Sequence, residues 1–299
     1  MIGSAQAQTA VPEYRELIRF ERDAVTILTT LTEHFTFSPD SEYIAAASSS
    51  GSVDIWRIDT GEVVHSLGIA STSVSWSPDG SLIAIGNDYD YNLTVWDTTA
   101  ETIRYQIAEY SGRHITWSPD SAQFATDAMQ VFDAQTGEVV LQLGANWSVP
   151  YHAYWSPDGA RILTTTGWEG DYAHLWSLDG ERLDSYWAGK SASWSPDSTR
   201  IATFGQVREI STGLPVVIIP NMQWEIAWHP DGEWIASVDD EGAIFLWDAN
   251  SGELVTEWTA EGCHIKGFAW SPNGERFAID CIIADPEYST DLIIWERIR

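Results

Sequence analysis

The sequence predicts an all-β fold in which seven four-stranded antiparallel sheets stand in a ring. Three observations lead there. A Trp-Ser-Pro-Asp turn, or a close variant, is written seven times. Each copy is followed by one apolar strand and then by a second that ends in an aromatic residue. Finally, 11 of the 17 tryptophans fall at just two positions of this pattern.

The turn occurs at Phe37-Ser38-Pro39-Asp40, Trp76-Ser77-Pro78-Asp79, Trp117-Ser118-Pro119-Asp120 and Trp155-Ser156-Pro157-Asp158. It continues at Trp194-Ser195-Pro196-Asp197, Trp228-His229-Pro230-Asp231 and Trp270-Ser271-Pro272-Asn273. Successive prolines are 39, 41, 38, 39, 34 and 42 residues apart. A self-similar period of this size marks a repeat architecture. Proline presets φ at about −65° for the second position of a tight turn, Asp or Asn suits the third, and Gly or Ser closes it.

Alternating apolar residues after the turn, as in Ser81-Leu82-Ile83-Ala84-Ile85, predict a half-buried strand. The next strand ends in Trp56, Trp96, Phe132, Trp176, Trp247 or Trp295. A Thr-Gly-Glu or Ser-Gly-Glu turn often follows, at Thr60-Gly61-Glu62, Thr136-Gly137-Glu138 and Ser251-Gly252-Glu253, and leads into a fourth strand. One such sheet cannot bury both faces alone, whereas seven arranged radially bury them against each other. The tryptophans are then the filler between sheets.

With these motifs in seven registered copies, the sequence resembles the WD-repeat family over residues 24–299. The resemblance implies a seven-bladed β-propeller that works as a binding scaffold without catalysis or cofactor. The chain lacks that family's Gly-His dipeptide before the inner strand and mostly lacks the Asp in the turn before the Trp strand. Its Trp-Ser-Pro-Asp-Gly wording resembles bacterial members, which are often appendages of larger proteins. The last repeat stops after its third strand, and a spare strand, Ala24-Val25-Thr26-Ile27-Leu28-Thr29, precedes the first. That strand is expected to complete the seventh blade and remove two exposed edges. Residues 1–23 are then an N-terminal extension. Three repeats are irregular: the fifth has Arg208 where the Trp belongs, the third has Phe132, and the seventh carries an insertion from Cys281 to Asp291.

At 299 residues the chain sits at the limit of a single core, about 250–300 residues, which suits one domain built by repetition. The 44 acidic residues face 15 basic ones, for a net charge of −29. This field repels phosphate backbones and anionic lipid, so nucleic acid and membrane surfaces are not expected partners; solubility or growth in salt would produce the same bias. No apolar run approaches the roughly 20 residues of a membrane-spanning helix. The first ten residues carry no basic and apolar signal regions, although Ala5-Gln6-Ala7-Gln8 has the small-residue spacing of a cleavage site.

Catalytic motifs are not found, and no catalytic residue, metal or cofactor is expected. His34, His114 and His152 share one register, but blades one and three are not neighbours, so packing or hydrogen bonding is the expectation over a metal site. Asp88-Tyr89-Asp90-Tyr91-Asn92 spaces oxygens as calcium loops do, without the glycine and distal Glu of such loops. Cys263 and Cys281 lie on paired strands of the last repeat. Counted outward from the Pro272-Asn273 turn, their sulfurs face or nearly face each other. A disulfide is geometrically reasonable and would imply an oxidising, extracytoplasmic compartment; two unrelated buried thiols are the alternative.

One end of the ring carries the short Pro-Asp turns. The other, the top, carries longer and more varied loops, where recognition usually resides. The residue four before each turn aromatic opens the inner strand at the top: Glu33, Thr72, Arg113, Tyr151, Lys190, Trp224 and Lys266. Both lysines of the chain fall in this register. Trp147, Trp168 and Trp187 lie in nearby loops or strand ends, with Tyr110 and Tyr172 close by in the sequence pattern. Arg113, Tyr151, Lys190, Trp224, Lys266, Trp147, Trp168 and Trp187 are therefore the candidate binding residues, for a protein or peptide with an acidic element. A carbohydrate or other small extracellular ligand is the alternative, and a monomer is expected.

Overall fold

The computed structural model describes residues 11–22, 35–47, 52–69, 71–87, 91–108, 114–144, 152–166, 172–189, 191–220, 225–239, 241–283 and 289–298. Among them run 28 strands, grouped into seven four-stranded antiparallel sheets, with no helix. Blade one spans residues 35–66, blade two 73–108, blade three 115–142, blade four 152–187, blade five 192–218, blade six 226–259 and blade seven 263–297. Within blades one to six the strands lie side by side in chain order. First strands of successive blades touch, from Phe35–Phe37 round to Cys263–Trp270, and so line the axis. Burial falls outward: the second strand of blade two, Leu82–Asn87, is buried throughout, whereas the fourth strand of blade one, Val63–Ser66, is exposed throughout.

Each core cluster joins two blades. Leu82, Leu93 and Val95 of blade two pack with Trp117, Phe124 and Phe132 of blade three. Three of the six turn tryptophans tie neighbours together by their N–H groups as well, whereas Trp76 and Trp228 donate within their own turns, to Gly80 O and Gly232 O. Trp117 Nε1 donates to Ser75 O at 3.2 Å, Trp194 Nε1 to Tyr154 O at 3.2 Å, and Trp270 Nε1 to Ala227 O at 3.3 Å. Each acceptor lies on the preceding blade's inner strand.

The serine of the turn motif is a hub. Ser77 Oγ donates to Asp79 Oδ1 at 2.7 Å and accepts from the Leu82 N–H at 2.9 Å, while Asp79 Oδ1 accepts from the Ser81 N–H at 3.0 Å. The same triangle recurs around Ser118, Ser156, Ser195 and Ser271. In blade six His229 replaces the serine, its Nδ1 2.8 Å from the Asp231 carboxylate. The closing residue is left-handed, with φ of 77° at Gly80 and 60° at Ser121, which is why glycine or a small polar residue stands there.

The ring closes with a strand other than the expected one. Tyr14–Arg22 pairs antiparallel with Ser289–Arg297, from Tyr14 opposite Arg297 to Arg22 opposite Thr290, and forms the outermost strand of blade seven. It lies inside the stretch that the sequence assigns to an extension; Ala24–Thr29 falls outside the described residues. Blade seven meets blade one through Arg276, whose guanidinium donates to Ser41 O at 3.0 Å, and through a shared core of Phe20, Phe37, Trp56 and Ile294. Where it is described, the expected insertion from Cys281 to Asp291 is more strand: Cys281, Ile282 and Ile283 continue the pairing opposite Asp291, Thr290 and Ser289.

Candidate functional site

Of the eight candidate binding residues, Trp187 and Lys266 lie among those described; Arg113, Tyr151, Lys190, Trp224, Trp147 and Trp168 fall outside them. Lys266 sits on the inner strand of blade seven. Ile265 is opposite Cys281 and Gly267 opposite Asp280, which leaves Lys266 as the extra residue of a β-bulge. Bulges re-aim side chains. Half-buried, Lys266 lines a void of about 10 Å³ at the axis together with Phe35, His152, Glu225 and Phe268.

Trp187 stands elsewhere. It ends the outermost strand of blade four, opposite Tyr172. Its ring meets Phe204 of blade five edge-on, with centroids 5.3 Å apart and planes at 86°. The three rings are 39–45% exposed, a high value for groups this large, and together make an apolar patch on the top rim. Gly189, with φ 71°, lets the two blades approach, since a Cβ there would lie 2.9 Å from Phe204 Cβ. Outermost and innermost strands are three spacings of about 4.8 Å apart. Trp187 and Lys266 therefore share an end of the ring but not one contact site. Phe204 was not among the sequence candidates; its place in a top turn, directly after a second strand, was the available signal.

The histidine register is structural where it is described. His114 and His152 are buried, with ring centroids 4.9 Å apart, and His114 Nδ1 accepts from the Ala153 N–H at 3.3 Å. His34 lies outside the described residues. Among those described, no group of three or more His, Cys, Asp or Glu is placed to hold a metal ion. Of the Asp88–Asn92 stretch only Tyr91 and Asn92 are described.

Cys263 and Cys281 form a disulfide with Cα atoms 5.3 Å apart. They are diagonal neighbours, Cys263 standing opposite Ile283 and Cys281 opposite Ile265.

Residues 23–57 and 62–97 match the family model for the WD domain, G-beta repeat, and residues 221–273 match that for the anaphase-promoting complex subunit 4 WD40 domain. The chain is similar to minichromosome loss protein 1 of Schizosaccharomyces pombe, with 25% identity over 77% of this chain and 26% of that protein. It is similar to WD repeat-containing protein WRAP73 of Mus musculus, with 24% identity over 57% of this chain and 41% of that protein. It also resembles the UBP9-binding protein bun62 of S. pombe, with 42% identity over 29% of this chain and 16% of that protein. The chain thus spans under half the length of these relatives. All three are eukaryotic, so the bacterial type of the repeat gains no support from them. The matched repeats and the seven-bladed ring together support a WD-repeat β-propeller.

Proposed function

We propose that this propeller is a non-catalytic interaction scaffold that holds a protein or peptide partner on its top face. The observation that carries the proposal is the exposed trio Tyr172, Trp187 and Phe204 on the top rim of a rigid ring. Large rings supplemented by a few cations are the composition of interface hot spots. The sequence register that Arg113, Lys190 and Lys266 share, read as opening inner strands at that end, suits an acidic element on that partner. Two of the similarities agree with such a role, one to a UBP9-binding protein and one to the WD40 domain of a subunit of the anaphase-promoting complex. The partner's identity is set by the loops and not by the fold.

The test is affinity capture on the immobilised propeller, followed by titration of each purified partner. Lys190→Glu with Lys266→Glu, and separately Tyr172→Ala with Trp187→Ala, are expected to weaken a genuine partner at least tenfold. Unchanged affinity in both variants overturns the reading. A second reading, a propeller binding carbohydrate in an oxidising compartment, is favoured by the same exposed rings and by the disulfide. A glycan array separates the two, and a broad hydrolase screen with and without metals tests the absence of catalysis.

A further inference from the structure

Six blades join their third and fourth strands by a tight turn containing a left-handed residue: Gly61, Glu101, Gly137, Gly180, Gly213 and Gly252. Against each glycine lies a side chain from the outermost strand of the preceding blade. A Cβ on Gly137 would be 2.6 Å from the Tyr105 ring, one on Gly180 3.2 Å from Leu141, and one on Gly252 2.8 Å from Val217. Ile18 repeats the arrangement on Gly61, and on Gly213 the Tyr186 ring at 3.4 Å does so beside the Asp184 carboxylate at 3.1 Å. An apolar side chain thus closes the outer part of each of these interfaces.

The interface between blades one and two departs from this rule on both sides at once. Glu101, with φ 54°, replaces the glycine. His65 replaces the apolar plug: it stands opposite Ile55, as Tyr105 stands opposite Val95, Leu141 opposite Val131 and Val217 opposite Val207. The histidine ring lies out at the surface, its Nε2 3.8 Å from Glu101 Oε1. What remains is a groove of about 510 Å³ on the Pro-Asp side of the ring, walled by Tyr43, Trp76 and Trp96. Trp76 is half-buried, whereas its five tryptophan counterparts are at most 9% exposed. The Arg57 guanidinium lies 5.1 Å over the Tyr43 ring and donates to its hydroxyl at 2.7 Å, which braces that wall.

We propose that this groove is a docking site for a short peptide segment that inserts a bulky apolar side chain between Trp76, Trp96 and Tyr43. The chemistry of the occupant follows from what is absent: the partner supplies in trans the plug that the preceding strand supplies elsewhere. The volume lies within the range of formed ligand sites, about 300–1,000 Å³. Charge sets the flanks. The mouth carries the carboxylates of Asp40, Asp79 and Glu101 against Arg57 and a histidine held beside Glu101, so lysine or arginine next to the anchor is complementary. The site is remote from the top face and stands or falls independently of the function proposed above.

The test uses the isotope-labelled propeller and the indole N–H resonances of Trp76 and Trp96, assigned through Trp76→Phe and Trp96→Phe. Capped pentapeptides are titrated in: Gly-Lys-Phe-Lys-Gly, the same with central alanine, and Gly-Glu-Phe-Glu-Gly. The lysine-flanked phenylalanine peptide is expected to shift both resonances saturably, and the other two to bind at least tenfold more weakly. His65→Tyr with Glu101→Gly rebuilds the Tyr105–Gly137 arrangement and is expected to abolish the shifts while raising the melting temperature; His65→Leu alone is the second filler. Shifts that survive both fillers overturn the proposal, as does an equal response to the alanine or glutamate peptide. It is equally overturned if no peptide perturbs either indole, or if chitotriose does so where the peptides do not.

Discussion

Gly252→Ala isolates the closeness of the blades from the strain of a left-handed backbone. Gly252 has φ 74°, and a Cβ there would lie 2.5 Å from Ile218 O and 2.8 Å from Val217 Cγ1. Ile218 O shares a peptide plane with the Ile219 N–H, which donates to Gly205 O at 3.0 Å in blade five, so the carbonyl cannot swing aside without disturbing that bond. Gly262 is the control: its φ is 73°, but nothing lies within 4 Å of its Cβ position. Both substitutions place alanine in the left-handed region, at about 1–2 kcal/mol. Only Gly252→Ala must also push two packed blades apart, an overpacking cost of about 1–3 kcal/mol. The expected losses are then about 2–5 kcal/mol for Gly252→Ala and about 1–2 for Gly262→Ala. Urea unfolding followed by tryptophan fluorescence measures both, with the slope m checked for constancy. Equal losses at unchanged m would refute the idea that these glycines exist to admit the preceding blade.

Three further outcomes follow from other parts of the ring. Reducing the Cys263–Cys281 bond, which closes a segment of 18 residues, should cost about 3 kcal/mol, seen as a lower urea midpoint once thiols are titrated as free; an unchanged midpoint counts against it. Trp176 is buried and its Nε1 donates to Thr164 Oγ1 at 2.9 Å, so Trp176→Ala should cost about 3–5 kcal/mol and Trp176→Phe clearly less. Hydrogen bonds from the Ser118 and Ser195 hydroxyls hold Asp120 and Asp197 below the ordinary carboxyl value. The folded pKa being the lower one, this stabilisation is present above the unfolded value of about 3.9 and is lost as pH falls through the folded one. Ser118→Ala with Ser195→Ala should therefore flatten the acid limb of stability against pH, and an undiminished slope contradicts the assignment.

The repeat was legible because its causes are local: a proline turn, an alternating strand and an aromatic at fixed spacing specify each blade without reference to the others. The closing strand was not. Tyr14–Arg22 carries Arg15, Glu16 and Arg19 because an outermost strand keeps one face in water, and a register shift between Glu16 and Ile18 breaks its alternation. Buried Tyr14 and Phe20 are the positions that seat it, yet in sequence they are too sparse to outweigh the apolar run at 24–29. The cysteine pairing was legible from the turn outward to within a diagonal step, and the bulge at Lys266 supplies the offset. The same bulge takes Lys266 out of simple register with the other residues at its height. Spacing along the chain tells how high a residue stands on the ring. Distance from the axis depends on which strand bears it, and that separates Trp187 from Lys266.

Irregular repeats divide by whether the fold absorbs the change. Arg208 stands in blade five where a tryptophan is expected, and it is absorbed: its guanidinium lies 5.5 Å over the Tyr186 ring and donates to Gly213 O at 2.8 Å. Stacked and bonded in this way, the arginine does the tryptophan's packing at the same interface. Phe132 in blade three is absorbed too, stacked on Phe124 at 5.1 Å and fully buried. His65 and Glu101 are different. Each alone would leave a mismatch, a side chain meeting a plug or a glycine without one; together they are mutually compatible, and still they leave two tryptophans half-buried beside an open groove. A fold selected only for stability would refill that space with the residues used at the other glycine-bearing interfaces. Departure from the repeat is therefore a weak sign of function by itself. It becomes a strong one where it exposes surface that the remaining repeats take care to bury.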